Sequence, residues 1–304
     1  MDPITRDFYE ERRRKWRRSA FWRGFAVAIG ILVLVGVAGY FMERQPTGPH
    51  IARITLNDII YTDPWRDDVI DQIAESEGAA ALIVHLDSPG GTVVGSEALL
   101  DALRRVSADK PVVAVMDGVA ASGAYMAALA ADRIIARGNT ITGSVGVIFE
   151  YLTFADLMER VGVDVETIRS SDLKAAASQF RNLSREGRAA EQAIVDETYA
   201  WFRDLVGEAR GLSGPALDSA TDGRTFTGRM ALENGLVDQI GDERTAVAWL
   251  ESLDGFPAGL PVRSWELPVE EDSAFGFLGQ LTGFSTDFRQ IGGPQGPRLM
   301  SILK

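Results

Sequence analysis

The chain has 304 residues, 46% of them hydrophobic and 24% charged, with a formal net charge of −12; this is the profile of a folded protein with one large domain or two small ones. It has no cysteine, which excludes a disulfide framework, a cysteine nucleophile and cysteine-based zinc sites. Its two histidines, His50 and His85, do not stand at metal-ligand spacing, and the acidic balance argues against a nucleic-acid partner.

In chain order, residues 1–23 come first, with eight Arg or Lys against four acids. Residues 24–42, GFAVAIGILVLVGVAGYFM, carry no charge over 19 positions, close to the ~20 that a helix needs to span a bilayer core. Positive charge is retained on the cytoplasmic side, so the sequence predicts a membrane helix with its N-terminus inside and the rest of the chain outside. The competing reading, a cleaved signal peptide, requires a shorter apolar run and a small-residue cleavage site. Residues 43–50 read as a linker. Beyond residue 42 there are 23 basic and 39 acidic residues, as in a soluble domain.

IARITLNDII (51–60) alternates and is rich in branched residues, which predicts a strand; a helix follows over 66–76. AALIVHL (80–86) is a continuous apolar run, as in a strand buried on both faces. It ends in the turn DSPGG (87–91), before a helix near 94–107. PVVAVM (111–116) is a second buried strand, and DGVAAS leads into a helix after Ser122. RIIA (133–136), SVGVIFEY (144–151) and VDVETI (163–168) read as short strands, with helices over 153–161 and 184–210. This alternation predicts an α/β domain built on a largely parallel sheet. Residues 268–304, rich in Gly, Phe, Pro and Gln, read as a tail.

Ser122 is a hydroxyl inside a small, apolar stretch, and a serine becomes a nucleophile only when a base removes its proton. His85 falls within an apolar strand, as a packed or hydrogen-bonded residue, and His50 lies beside the membrane segment. Lysine is the alternative base, and the chain has four: Lys15, Lys110, Lys174 and Lys304. Lys15 is predicted to be cytoplasmic, Lys304 is terminal and Lys110 sits in a turn. That leaves Lys174, in RSSDLKAAASQF, whose small apolar neighbours could strip its hydration and favour the neutral amine. The opposing reading is a solvated lysine on a loop. Acyl transfer also needs donors for an oxyanion. Gly123, at a helix start, and the glycines of DSPGG, at the carboxyl edge of a buried strand, are candidates.

Taken together, DSPGG, GVAASGAY, NTITGSVGV (139–147), SSDLK and DGRTFTGRMALENGLVDQIG (222–241) resemble the signal peptide peptidase A family, membrane-anchored serine peptidases with a Ser–Lys dyad. The resemblance spans about residues 51–250. It implies Ser122 as nucleophile, Lys174 as general base, Ser144 as the residue that orients the lysine, and Gly91 and Gly123 as oxyanion donors, with no metal and no cofactor. It implies a Clp protease/crotonase-like α/β fold of stacked β-β-α units over residues 51–251, preceded by one N-terminal transmembrane helix and followed by a 252–304 extension. It further implies peptide substrates, namely remnants of signal peptides, and a homo-oligomer, expected to be an octamer. The location implied is a bacterial inner membrane, with the catalytic domain on the periplasmic side. Two rivals remain at the level of sequence: an acyl-CoA enzyme of the crotonase group using the same glycines with a carboxylate base, and a non-catalytic anchored scaffold.

Overall fold

The computed structural model of the protein describes residues 22, 25, 27–29, 31, 48–267 and 298–302. The predicted 1–23 segment apart from Trp22, most of the 24–42 span, and residues 268–297 lie outside the described residues, as do Lys15 and Lys304. The chain divides into two compact units, residues 1–47 and 48–304. In the first unit the described residues are helical and exposed. Among the described residues, no helix is long and apolar enough to cross a membrane.

The second unit is an α/β domain. Its elements are β1 (His50–Asn57), α1 (Pro64–Glu75), β2 (Ala79–Ser88), β3 (Gly90–Thr92), α2 (Val93–Ser107), β4 (Val112–Ala121), α3 (Gly123–Ala128), β5 (Arg133–Ala136), β6 (Ile141–Gly143) and β7 (Ile148–Glu150). There follow α4 (Ala155–Val161), α5 (Arg185–Arg210), α6 (Gly214–Ala220), β8 (Thr225–Thr227), α7 (Gly228–Glu233), β9 (Gln239–Ile240), α8 (Glu243–Glu251), β10 (Val262–Ser264) and β11 (Arg298–Ile302). The main sheet runs β10-β1-β2-β4-β5-β9, and every neighbouring pair along it is parallel.

Strand alternation assigns the apolar runs to two cores. From β2, Leu82, Val84 and Leu86 face the core that also holds Ile70 and Ile73 of α1 and Leu99, Leu100 and Leu103 of α2. Ala81 and Ile83 face the opposite side with Val113, Val115 and Ile135, against Ala246 and Leu250 of α8. Helix starts are fixed locally: Asp63 accepts from the Arg66 N–H ahead of α1, with Pro in its first turn, and Thr92 Oγ1 accepts from the Gly95 N–H at α2.

The sheet extends past residue 251: β10 pairs with β1, and Trp265 is buried behind it, its indole N–H donating to His50 Nε2 at 3.0 Å. Two predicted strands are corrected. Of 144–151 only Ile148–Glu150 is extended, because Gly143 and Ser144 have φ of 78° and 51° and turn the chain. Residues 163–168 form no strand; Val163, Val165 and Ile168 alternate as a strand would, but all three are exposed and no neighbouring strand pairs with them.

Candidate active site

A single residue, Ser122, stands between the end of β4 and the start of α3, so the direction of the chain changes there in one step. Its backbone takes φ 54° and ψ −116°, unfavourable for any side chain with a Cβ. The surroundings hold it there. The Ser122 N–H donates to Gly143 O at 2.8 Å, and Ser122 O accepts the Met126 N–H at 2.9 Å. The flanking Ala120, Ala121 and Ala124 are completely buried, and their small size lets α3 pack closely on the sheet. The serine side chain is itself buried, at 1% exposure. The small apolar texture of DGVAASGAY is therefore a packing requirement around one strained, buried alcohol.

Ser144 is reached from the other side. β6 runs parallel to β4, pairing Ala121 with Gly143, and antiparallel to β8. Two buried threonines fasten it: Thr140 Oγ1 donates to Asp117 O and Thr142 Oγ1 to Ala120 O, both at 2.6 Å. The Ser144 N–H donates to Arg224 O at 2.8 Å, which holds its backbone at φ 51°. These threonines and the Arg224 carbonyl are positioning groups that the sequence reading passed over; their signal was present in the motifs NTITG and DGRTF.

Gly91 forms the third wall. Ser88 Oγ accepts from the Gly90 N–H at 3.2 Å and shapes the turn after β2. The Ile60 N–H then donates to Gly90 O and the Thr92 N–H to Ile60 O, each at 2.9 Å. A Cβ on Gly91 would stand 1.8 Å from Ile60 O, so only glycine fits this approach. Gly91→Ala should therefore lose about 3 kcal/mol of stability or more, the upper end of the cost of overpacking; urea unfolding checks it, and an unchanged midpoint would contradict the geometry. Gly123 is buried as the first residue of α3.

The other titratable candidates are engaged elsewhere. His85 places Nδ1 at 2.7 Å from Asp117 Oδ2 and Nε2 at 2.9 Å from Glu243 Oε2. His50 is wholly buried; because an indole N–H only donates, Nε2 accepts from Trp265 and Nδ1–H donates to Gly48 O at 2.8 Å. Lys110 donates through Nζ to Ile73 O and Ser76 O at the end of α1, and burial lowers its pKa. It serves as a helix C-cap.

Lys174 lies in a turn whose N–H donates to Ser171 O, and its side chain is exposed. The desolvation expected from its sequence neighbours is absent from the single chain. Ala175, the next residue, has φ 52°. Among the described residues, four non-glycine residues have positive φ, and three are Ser122, Ser144 and this neighbour of Lys174. The surrounding stretch is unusually apolar for a surface: Leu152, Leu157, Val161, Ile168, Leu173 and Phe180 are all more than half exposed.

Comparison with known proteins gives the following. The family model described as "Peptidase family S49" matches residues 104–256. A protein from Synechocystis sp. that is named a protease is 39% identical over 231 residues, 75% of this chain and 82% of that one. The chloroplastic serine protease SPPA of Arabidopsis thaliana is 33% identical over 199 residues, 65% of this chain and 29% of that longer protein. A solved structure of a ClpP1 mutant from Listeria monocytogenes covers 64% of this chain and 92% of its own at 18% identity, with a TM-score of 0.42.

Proposed function

Because the chain belongs to peptidase family S49, the signal peptide peptidase A family of serine peptidases, we propose that it cleaves peptide bonds with Ser122 as nucleophile and Lys174 as general base. The observation that carries this reading is Ser122 itself: a buried hydroxyl fixed in a disfavoured conformation at a strand-to-helix junction. Strain of this kind costs on the order of 1–3 kcal/mol and is kept where the position of the side chain matters.

The Ser122 oxygen attacks the peptide carbonyl while the neutral Lys174 amine takes its proton. The Gly91 and Gly123 N–H groups hold the oxyanion. As the tetrahedral intermediate collapses, the ammonium returns the proton to the leaving amine. A water, deprotonated by the same amine, then releases the acyl group and restores the serine. Ser144, fixed across β6 from Ser122, orients the lysine. The threonines of β6 and the Arg224 carbonyl support it.

An amine must shed its hydration to be neutral near pH 7, and Lys174 is exposed in one chain. The exposed apolar residues over 152–180 form the kind of surface that other protein covers. In this reading the chain works as a homo-oligomer, eight copies by family resemblance, in which neighbours cover that surface and shield the lysine. Residues 24–42 anchor it in a bacterial inner membrane, with the peptidase domain on the periplasmic side. Its substrates are signal peptides released after processing.

The test is to treat the full-length protein in detergent with a serine-directed fluorophosphonate and with a model signal peptide. Internal fragments of the peptide, and a label found on Ser122 by mass spectrometry, are the expected result. Turnover of an acyl-CoA thioester with no peptide cleavage, or a label on another serine, would overturn the assignment.

A further inference from the structure

Besides the main sheet the domain contains a second sheet of three strands, ordered β3-β11-β7. Its central strand is the segment Arg298–Ile302, from the end of the chain, and it runs antiparallel to both neighbours. Met300, Ser301 and Ile302 stand opposite Thr92, Gly91 and Gly90; Arg298, Leu299 and Met300 stand opposite Glu150, Phe149 and Ile148.

The two outer strands frame a slot. Strands in a sheet lie about 4.8 Å apart, so β3 and β7 are roughly 10 Å apart, room for one extended chain. One edge of β3 is already taken, since Gly90 O and the Thr92 N–H both bond to Ile60. The backbone groups of a strand point to alternate edges, so those of Gly91 turn toward the slot. Both walls also belong to the candidate site. β3 contains Gly91 and packs against α3, the helix that starts after Ser122. β7 begins at Ile148, shortly after Ser144, on the segment that receives the Ser122 N–H at Gly143.

We propose that this slot is the path of the substrate backbone, and that the chain's own segment 298–302 occupies it as a tethered competitor that restrains the peptidase until displaced or removed. The claim rests on the catalytic reading above and adds the means of substrate recognition and of restraint. An extended chain entering an open sheet edge is held by main-chain hydrogen bonds whatever its sequence, so a segment of the same chain can take the place of a substrate. Tethering makes it a strong competitor, because a flexible connection sets an effective concentration on the order of millimolar, above that of a dilute peptide.

Two variants remove the occupant without touching the catalytic groups: a chain ending at Pro297, and Met300→Pro in the full chain. Met300 pairs on both sides, and proline cannot donate to a ladder. In hydrolysis of a chromogenic peptide by detergent-solubilised protein, both variants should show KM lowered about tenfold with kcat unchanged, the signature of a displaced intramolecular competitor. A synthetic RLMSILK peptide added to the shortened chain should raise KM again. Unchanged KM in both variants would overturn the proposal. A second readout does not depend on turnover: fluorescent RLMSILK binding to Ser122→Ala proteins, expected for the shortened chain and weakened at least tenfold in the full one. Equal binding to both would overturn the tethered occupant even if hydrolysis is robust. Unequal binding without hydrolysis by any serine-containing form would retain the occupant and overturn the catalytic reading.

Discussion

Replacing Ser122 with alanine should lower kcat/KM for an extended peptide by about 10⁴-fold or more, as expected when the nucleophile of an acyl-transfer site is removed. The fold should survive the change. The hydroxyl is buried among alanines, and alanine at φ 54° bears the same backbone strain as serine, so stability should move by less than about 1 kcal/mol. A companion variant sharpens the test. Ser122→Gly should be equally inactive yet more stable than Ser122→Ala, because glycine enters this region of backbone space freely. Thermal unfolding of the two proteins decides it. A glycine variant less stable than the alanine variant would remove the argument that the serine is held against its conformational preference, and undiminished cleavage by either would remove Ser122 from the reaction.

Lys174→Ala should reduce kcat/KM by about 10²–10⁴-fold, the range that a positioned general base contributes. Because the side chain is exposed, the unfolding midpoint of the single chain should hardly change. Lys174→Arg separates base from mere cation: a guanidinium does not give up its proton at accessible pH, so arginine should restore nothing. If the arginine variant regains a tenth or more of the activity, position 174 supplies charge or contact and some other group takes the serine proton. The limb of the pH–rate profile that reports the base should vanish in both variants. If neighbouring copies shield the amine, specific activity should also fall as the protein is diluted below its assembly range.

The parallel sheet was legible in the sequence because burial on both faces writes itself as an uninterrupted apolar run. AALIVHL and PVVAVM became β2 and β4 with nearly the predicted limits. β6, β8 and β9 were not read, since two or three residues are too short to show a period. VDVETI was misread for the opposite reason: its alternation is real, but nothing within the chain covers it, and Ile168 is 98% exposed. A pattern of apolar residues records that something will be covered, without saying by what. For the candidate site, the residue types could be identified by elimination, since two histidines and two of four lysines could be set aside. The environment of Lys174 could not be read, because desolvation is a property of neighbours in space.

The slot between β3 and β7 makes conformation the gatekeeper. A helix has its amide groups bonded within itself and presents nothing to a bare sheet edge. Inside a bilayer a peptide cannot give those bonds up, because each unpaired amide there costs several kcal/mol; in water, isolated helices of signal-peptide length are barely stable and unwind readily. A protein that reads uncoiled backbone at the membrane surface would therefore spare every intact spanning helix and take only peptides that have already slipped out of the lipid.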